Sequence, residues 1–152
     1  MLENLLSPDR IRREMKAETW EQAIELAGQP LLADGSIENS YIQAIIRQVN
    51  TLGPYIILTP NVALPHARPE DGVNKTSMSL LSLATPCLFP TGKTVQLLFF
   101  LAAADNESHL FALQDLAEIL SVPENIEELI SCEDEQSLQE TIYKQIGGIN
   151  HD

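Results

Sequence analysis

The sequence predicts an α/β protein in which a mixed β-sheet is flanked by helices on both faces. Amphipathic helix patterns occupy the first and last thirds of the chain, with strand-like segments between them. The apolar run Val95–Ala102 is typical of a strand covered on both faces. The chain has 152 residues, 44% hydrophobic and 20% charged, which is enough for a real core. No repeat or linker divides residues 1–152, so we expect a single domain.

Two helices are predicted in the first third. Thr19 is typical of the N-cap of an amphipathic helix, which ends near Pro30 or continues, kinked, to Leu32. A second helix is predicted to begin at position 39 or 40 with apolar residues along one side. Gly53, followed by proline, is expected to end it.

The middle of the chain favours strands. Short apolar runs, one alternating segment and one continuously apolar segment predict four of them. The predicted strands are Tyr55–Leu58, Val62–Leu64, Ser77–Leu83 and Val95–Ala102.

Helical patterns return after position 108. From Ser108 onward an apolar stripe predicts a helix whose inner face is formed by Leu113, Leu116, Ala117 and Leu120. Pro123 permits a short helix over Glu124–Ile130. A last helix is predicted over Glu135–Ile146 with Asp134 as its N-cap.

The net charge is unevenly distributed. The formal charge of −13 argues against nucleic acid and anionic lipid as main partners, because both require a basic face. Residues 1–104 carry 10 acidic and 8 basic residues, whereas residues 105–152 carry 12 acidic residues and only Lys144. We expect most of this acidic surplus to be a solvated face of the last helices.

The cysteines and the apolar segments indicate a cytoplasmic protein. Cys87 and Cys132 form no CxxC motif, so we expect two reduced thiols and neither a metal knuckle nor a redox pair. The first six residues are too short for a signal peptide. The longest apolar run is far below the roughly 20 residues that span a bilayer, so no direct membrane insertion is predicted.

Two histidines are candidates for chemistry. His66 lies between Pro65 and Pro69 just after a predicted strand, so its imidazole is expected on a stiff turn. His109 opens the helix that follows Val95–Ala102, where free N–H groups create an anion site. The field of that helix is expected to keep His109 neutral and able to donate a hydrogen bond.

This pair suits phosphoryl transfer. A neutral imidazole nitrogen is a competent nucleophile, and the second imidazole can steady charge on the transferred oxygens. No GxxxxGK[ST] loop is present, so ATP binding is not predicted. A hydrolytic metal site built from His66, His109, Asp105 and Glu107 is a weaker alternative, because no HExxH or similarly spaced ligand set supports it.

The segment around His66 carries a family resemblance. Asn61-Val-Ala-Leu-Pro-His-Ala-Arg-Pro-Glu-Asp-Gly72 resembles the active-site region of enzyme IIA domains of bacterial sugar phosphotransferase systems, in the mannitol/fructose class. Asp105-Asn-Glu-Ser-His109 resembles the second histidine of that family. The Ala-Arg-Pro-Glu-Asp-Gly sequence after His66 is most similar to the L-ascorbate-specific branch.

The resemblance implies a phosphocarrier with a mannitol/fructose-type enzyme IIA fold. His66 would accept a phosphoryl group from the protein HPr and pass it to a cysteine of enzyme IIB. His109 would stabilise the phosphohistidine, while Arg68 and Ser108 are predicted to bind the phosphoryl group. No cofactor and no metal are implied.

Several alternatives stay open at this point. The resemblance favours L-ascorbate as the sugar, with galactitol, fructose and mannitol as alternatives. An alternative to transport is a regulatory module in which phosphorylation of His66 controls a protein partner. Mannitol-type members have an arginine sixteen residues before the active histidine, where this chain has Asn50. Whether Arg47 or Arg68 contacts the phosphoryl group is therefore open, as is a homodimer.

Overall fold

The computed structural model describes residues 2–149, and five strands form one sheet in the order β1-β4-β5-β3-β2. The strands are β1 (Ile11–Glu14), β2 (Ile57–Thr59), β3 (Asn61–Ala63), β4 (Ser77–Phe89) and β5 (Lys93–Ala102). The helices are α1 (Leu2–Leu5), α2 (Trp20–Ala33), α3 (Asn39–Leu52), α4 (Leu110–Leu120), α5 (Pro123–Ser131) and α6 (Glu135–Gly147).

The sheet is mixed, as predicted. At its centre, β4 and β5 pair antiparallel, with Ser77 opposite Ala102. The strand β1 runs parallel to β4, and β3 runs parallel to β5. Two neighbouring strands that run parallel have their carboxyl ends at the same edge of the sheet. The ends of β3 and β5 therefore lie side by side.

The sheet separates two hydrophobic cores. Helices α2 and α3 pack on one face, and α1, α4, α5 and α6 pack on the other. Along β5, Leu98 and Phe100 enter the first core, whereas Leu97 and Phe99 enter the second. This alternation confirms that the strand is covered on both faces and that helices flank the sheet on both sides. Both cores share the one sheet, so the described residues form a single domain.

The helix ends follow the capping residues. The Thr19 hydroxyl accepts a hydrogen bond from the Gln22 backbone N–H at 3.1 Å, and the Asp134 carboxylate accepts one from the Ser137 N–H at 2.8 Å. Helix α2 continues through Pro30 to its last residue, Ala33, so the longer of its two predicted ends is right.

The structure differs from the prediction most clearly at two strand boundaries and on one helix face. The strand β4 continues beyond Leu83 to Phe89, because its second half pairs with the start of β5 after a register shift. The strand predicted from Tyr55 begins two residues later as β2. On α4, Ala117 is exposed, and Ala112 and Ile119 are buried instead, so the inward face is rotated from the predicted stripe.

The first strand was not predicted. Its sequence, Ile-Arg-Arg-Glu, has one apolar residue in four and lacks a strand pattern. Ile11 is buried in the core. The two arginines bind groups far along the chain: Arg12 pairs with Glu135 at 3.2 Å, and Arg13 donates to the Cys132 carbonyl at 2.9 Å. Within residues 2–149, no helix has the length and apolar character needed to cross a membrane.

Gly72 allows the turn after His66 to pack against the start of α3. Its φ is +138°, and a Cβ atom there would lie 2.6 Å from the Ser40 hydroxyl oxygen and 3.0 Å from the Tyr41 backbone nitrogen. The Gly72 carbonyl accepts a hydrogen bond from the Glu38 N–H at 2.8 Å. Only glycine fits both the backbone angle and the close approach.

We predict that Gly72→Ala lowers the free energy of unfolding by about 2–4 kcal/mol, because it adds crowding to backbone strain. Gly92→Ala is the matched control: its φ is +78°, but nothing lies within 4 Å of the added Cβ. That variant should lose only about 1 kcal/mol. Urea unfolding of the two variants measures the difference, and equal losses would contradict the crowding argument.

Candidate active site

The two histidines meet at the edge where β3 and β5 end. His66 follows β3 after a short extension, and six residues, beginning at Ala103, separate β5 from His109. Both line one cavity of about 220 Å³. Backbone pairing continues past the strand ends, since the Leu101 N–H donates to the Pro65 carbonyl at 2.9 Å. The sheet itself thus brings the two histidines to one small cavity.

The hydrogen bond of His66 determines which ring nitrogen is free. Its Nδ1 lies 2.6 Å from the Leu64 carbonyl oxygen. A carbonyl can only accept, so Nδ1 carries the proton in the neutral ring. The lone pair is then on Nε2. His66 is half-buried and lines the cavity, and Nε2 is the ring nitrogen whose lone pair is free to react.

Tyr55 supports the other side of His66. The two rings meet edge to face, with centroids 5.4 Å apart and planes at 77°. The Tyr55 hydroxyl donates to the His66 carbonyl at 2.6 Å, and its oxygen lies 3.0 Å from Gln48 Oε1. Burial and the negative charge of Asp71 raise the pKa of Tyr55, so the phenol keeps the proton that it donates.

Tyr41 fixes the backbone just after His66. Its side chain is fully buried, and its hydroxyl donates to the Leu101 carbonyl at 2.7 Å while accepting from the Ala67 N–H at 2.9 Å. Burial raises the pKa of Tyr41 well above its ordinary value, so the hydroxyl stays protonated. One phenol therefore joins helix α3, strand β5 and the turn that carries His66.

Asp71 organises the rest of that turn. Its carboxylate accepts a hydrogen bond from the Arg68 backbone N–H at 3.1 Å and one from Gln48 Nε2 at 3.4 Å. Arg68 Nε also lies 3.6 Å from the same carboxylate and 3.7 Å from Glu70. The Arg68 side chain lines the cavity but is 71% exposed, so its ion pairs are weak.

His109 immediately precedes α4 and is half-buried. In the described part of the chain, its Nδ1 is a buried atom without a hydrogen-bond partner. A buried N–H without an acceptor is rarer in proteins than a buried acceptor without a donor. The proton of the neutral ring is therefore best placed on Nε2. That nitrogen is then a donor for an anionic group in the cavity.

The loop before His109 places a carboxylate beside the cavity and turns Ser108 away from it. Asp105 Oδ1 accepts hydrogen bonds from the N–H groups of Ser108 at 2.6 Å and Glu107 at 2.8 Å. These bonds lower the pKa of Asp105, which keeps the carboxylate charged. The Ser108 hydroxyl lies 2.6 Å from the Thr76 hydroxyl, and Ser108 does not line the cavity. Its predicted contact with a phosphoryl group stays a prediction.

Of the four site residues predicted from sequence, three line the cavity: His66, Arg68 and His109. Sequence reasoning did not assign the supporting residues Tyr55 and Gln48, because neither lies in a motif. Residues 2–149 contain no group of three or more His, Cys, Asp or Glu side chains that could hold a metal ion.

Residues 4–145 match the family described as Phosphoenolpyruvate-dependent sugar phosphotransferase system, EIIA 2. The mannitol-specific cryptic phosphotransferase enzyme IIA component of Escherichia coli (strain K12) is 42% identical over 129 residues, or 84% of this chain and 88% of that protein. The ascorbate-specific PTS system EIIA component of the same strain is 34% identical over 143 residues, or 92% of this chain and 93% of that protein.

Structural similarity agrees with the sequence match. The solution structure of the mannitol-specific cryptic phosphotransferase enzyme IIA from Escherichia coli aligns with a TM-score of 0.88 at 39% sequence identity. The alignment covers 94% of this chain and 98% of that one. The whole fold described above, including both helical layers, is therefore shared.

We predict that Tyr41→Phe lowers the free energy of unfolding by about 1–3 kcal/mol, because it leaves the Ala67 N–H and the Leu101 carbonyl unpaired. Hydrogen exchange at the Ala67 amide should become faster. Tyr143→Phe is the control, since it removes a hydroxyl bonded to the Leu6 carbonyl, on the other side of the sheet. Unchanged hydrogen exchange at the Ala67 amide of Tyr41→Phe would contradict this role of Tyr41 in holding the backbone after His66.

Proposed function

Because the chain belongs to the EIIA 2 family of the phosphoenolpyruvate-dependent sugar phosphotransferase system, whose members are phosphoryl-transfer proteins, we propose that His66 is its phosphoryl carrier. In this proposal His66 accepts the group from phospho-HPr and passes it to a cysteine of enzyme IIB, in the cytoplasm. The observation that carries it is the bond between His66 Nδ1 and the Leu64 carbonyl, which leaves Nε2 free. The match of residues 4–145 to this family confirms the resemblance seen in the sequence.

The transfer is a displacement at phosphorus. The lone pair of His66 Nε2 forms the new N–P bond as the N–P bond of the donor imidazole breaks. The donor nitrogen keeps the bonding electron pair and then takes up a proton. His66 keeps its Nδ1 proton on the Leu64 carbonyl, so the phosphorylated ring remains held in the same orientation.

His109 supports this step from across the cavity. With its proton on Nε2, it donates a hydrogen bond to a phosphoryl oxygen, where negative charge accumulates. Tyr55 limits the movement of His66, because its ring contacts the imidazole edge to face. In this proposal the phosphoryl group lies in the cavity that both histidines line.

In this proposal the guanidinium of Arg68, which lines the cavity, binds the phosphoryl group. Its two ion pairs, with Glu70 and Asp71, are long and exposed, and such pairs contribute only about 0–1 kcal/mol. A phosphoryl group carrying about two negative charges competes well for the guanidinium. Arg47, the other open candidate, is exposed on α3 and does not line the cavity. Ser108 reaches the group only if its hydroxyl leaves Thr76.

We further propose L-ascorbate as the sugar whose uptake this phosphoryl group supports. The support is the Ala67–Gly72 sequence after His66, which resembles the ascorbate branch, whereas the mannitol-type relative has the higher identity. The site itself contacts a partner's cysteine and not the sugar. Specificity therefore has to lie in the choice of enzyme IIB.

We predict that phosphoenolpyruvate, enzyme I and HPr phosphorylate the parent protein, and that His66→Ala takes up no label. His109→Ala should accept label but transfer it to enzyme IIB about a hundredfold more slowly, because a charge-stabilising donor is lost. Arg47→Ala is a control outside the cavity and should behave like the parent. Rapid-quench assays with radiolabelled phosphate measure both steps.

Labelling of His66→Ala at the parent rate would show that another residue is the carrier. Onward transfer by His109→Ala at the parent rate would remove its role while leaving that of His66 intact. A parent protein that is labelled but transfers to no enzyme IIB would favour the regulatory alternative, in which phosphorylation controls a protein partner.

We predict that the phosphorylated protein transfers fastest to the enzyme IIB of an L-ascorbate system. The assay presents the same labelled protein to purified enzyme IIB proteins for ascorbate, mannitol, fructose and galactitol. The expected preference over the others is at least tenfold in kcat/KM, equivalent to about 1.4 kcal/mol. Faster transfer to the mannitol partner would overturn the assignment to ascorbate and leave the phosphocarrier function standing.

A further inference from the structure

One threonine hydroxyl holds both ends of the loop that leads to His109. This loop, residues 103–108, follows the last residue of β5. Thr76 Oγ1 accepts a hydrogen bond from the Ala104 N–H at 2.9 Å, near the start of the loop. The same oxygen lies 2.6 Å from the Ser108 hydroxyl oxygen, at the end of the loop. Thr76 directly precedes β4, whose first residue pairs with the last residue of β5, so its hydroxyl is anchored to the sheet.

The two bonds of Thr76 belong to the loop and not to the hydrophobic core. Thr76 is half-buried, whereas Ala104 and Ser108 are exposed. Water can therefore replace either bond when the hydroxyl is removed, and the cost in folding free energy stays small. A hydroxyl accepts two hydrogen bonds and donates one, so Thr76 Oγ1 keeps the Ala104 N–H whichever of the two hydroxyls donates. Removing this hydroxyl releases both ends of the loop.

Asp105 gives the loop a fixed internal shape. Its carboxylate accepts hydrogen bonds from the N–H groups of Glu107 and Ser108, which closes residues 105–108 into a turn. These bonds lie within the loop, so they set its shape but not its position relative to the sheet. The bonds of Thr76 fix that position, because Thr76 adjoins β4 and both of its partners lie in the loop.

The orientation of His109 depends on this loop, because its Nδ1 makes no orienting bond. That nitrogen is buried and has no hydrogen-bond partner among the described residues, whereas Nδ1 of His66 is held by a backbone carbonyl. On the helix side, the Leu113 N–H donates to the His109 carbonyl at 3.0 Å. On the loop side, the backbone of His109 is held through Ser108, whose hydroxyl contacts Thr76.

We propose that Thr76 is a positioning residue for phosphoryl transfer, an inference that rests on the proposed function. Its hydroxyl holds the loop so that Nε2 of His109 donates to the phosphoryl group on His66. Thr76 does not line the cavity and therefore acts through His109 rather than on the phosphoryl group. A displacement of about 1 Å in a group that acts on the transition state costs up to about a hundredfold in rate. The Ser108 hydroxyl serves the same purpose, as the partner of Thr76.

The first test compares variants in the transfer of labelled phosphate from His66 to enzyme IIB. Thr76→Val keeps the shape of the side chain and removes the hydroxyl, so we expect kcat to fall about tenfold with little change in KM. Thr76→Ser keeps a hydroxyl at this position and should restore most of the rate. Thr94→Val is the matched control, because it removes a hydroxyl that bonds to Asn61 at 3.3 Å, near the start of β5 and outside the cavity. It should transfer like the parent.

The second test shows whether Thr76 acts through His109. If it does, Thr76→Val has little further effect in the His109→Ala background, since the group that it positions is already absent. The double variant should therefore transfer within about twofold of His109→Ala alone. An effect through a different group would instead multiply with the first, and the double variant would be about tenfold slower still.

The ring nitrogens give a readout that does not depend on transfer. Nuclear magnetic resonance of the protein with ¹⁵N-labelled histidine observes each imidazole separately. In Thr76→Val the ring signals of His109 should shift or broaden, while those of His66 stay in place because its Nδ1 bond is unchanged. In Thr94→Val both sets should match the parent. Unchanged His109 signals in Thr76→Val would contradict the positioning role.

The kinetic outcomes separate this inference from the proposed function. The role of Thr76 is overturned, and His66 stays the carrier, if Thr76→Val transfers like the parent, if Thr76→Ser does not restore the rate, or if the losses multiply in the double variant. A raised KM with unchanged kcat also overturns it, because the loop would then act on partner binding. A parent protein that takes no label from phospho-HPr, or passes none to enzyme IIB, overturns the proposed function, and this inference fails with it.

Discussion

The arrangement of the site depends on one buried phenol. The Tyr41 hydroxyl donates to the Leu101 carbonyl, near the end of β5, and accepts from the Ala67 N–H, directly after His66. Because the hydroxyl is buried, these bonds have no competing water, and neither partner can leave without an unpaired polar group. The orientation of the nucleophile is thus linked to the packing of the whole sheet.

The structure holds the imidazole of His66 more firmly than the guanidinium of Arg68. His66 is held by its own ring bond to Leu64 and by Tyr55 at its carbonyl. Arg68, in contrast, is kept by long, exposed ion pairs that release easily. Such a division suits a carrier that receives and gives up the same group, because the reacting atom stays fixed while the charges around it adjust.

The sequence predicted most of the fold and named three residues that line the cavity. Helices α2, α3, α5 and α6 were expected because capping residues and apolar periodicity are local signals, and β5 because both of its faces are apolar. His66 was expected because two prolines restrict its turn. The charged strand β1 escaped prediction, since the Glu135 carboxylate and the Cys132 carbonyl that pair with its arginines lie more than a hundred residues away.

The sequence by itself determined the helices, the buried strand, the family and the two histidines, because each depends on residues that are close along the chain. Only the tertiary structure decided that His66 and His109 share one cavity, that Nε2 is the free nitrogen, and that Ser108 turns towards Thr76. These features depend on parallel pairing of β3 with β5 and on hydrogen bonds between distant segments. Such contacts have no local pattern, so only the folded chain determines them.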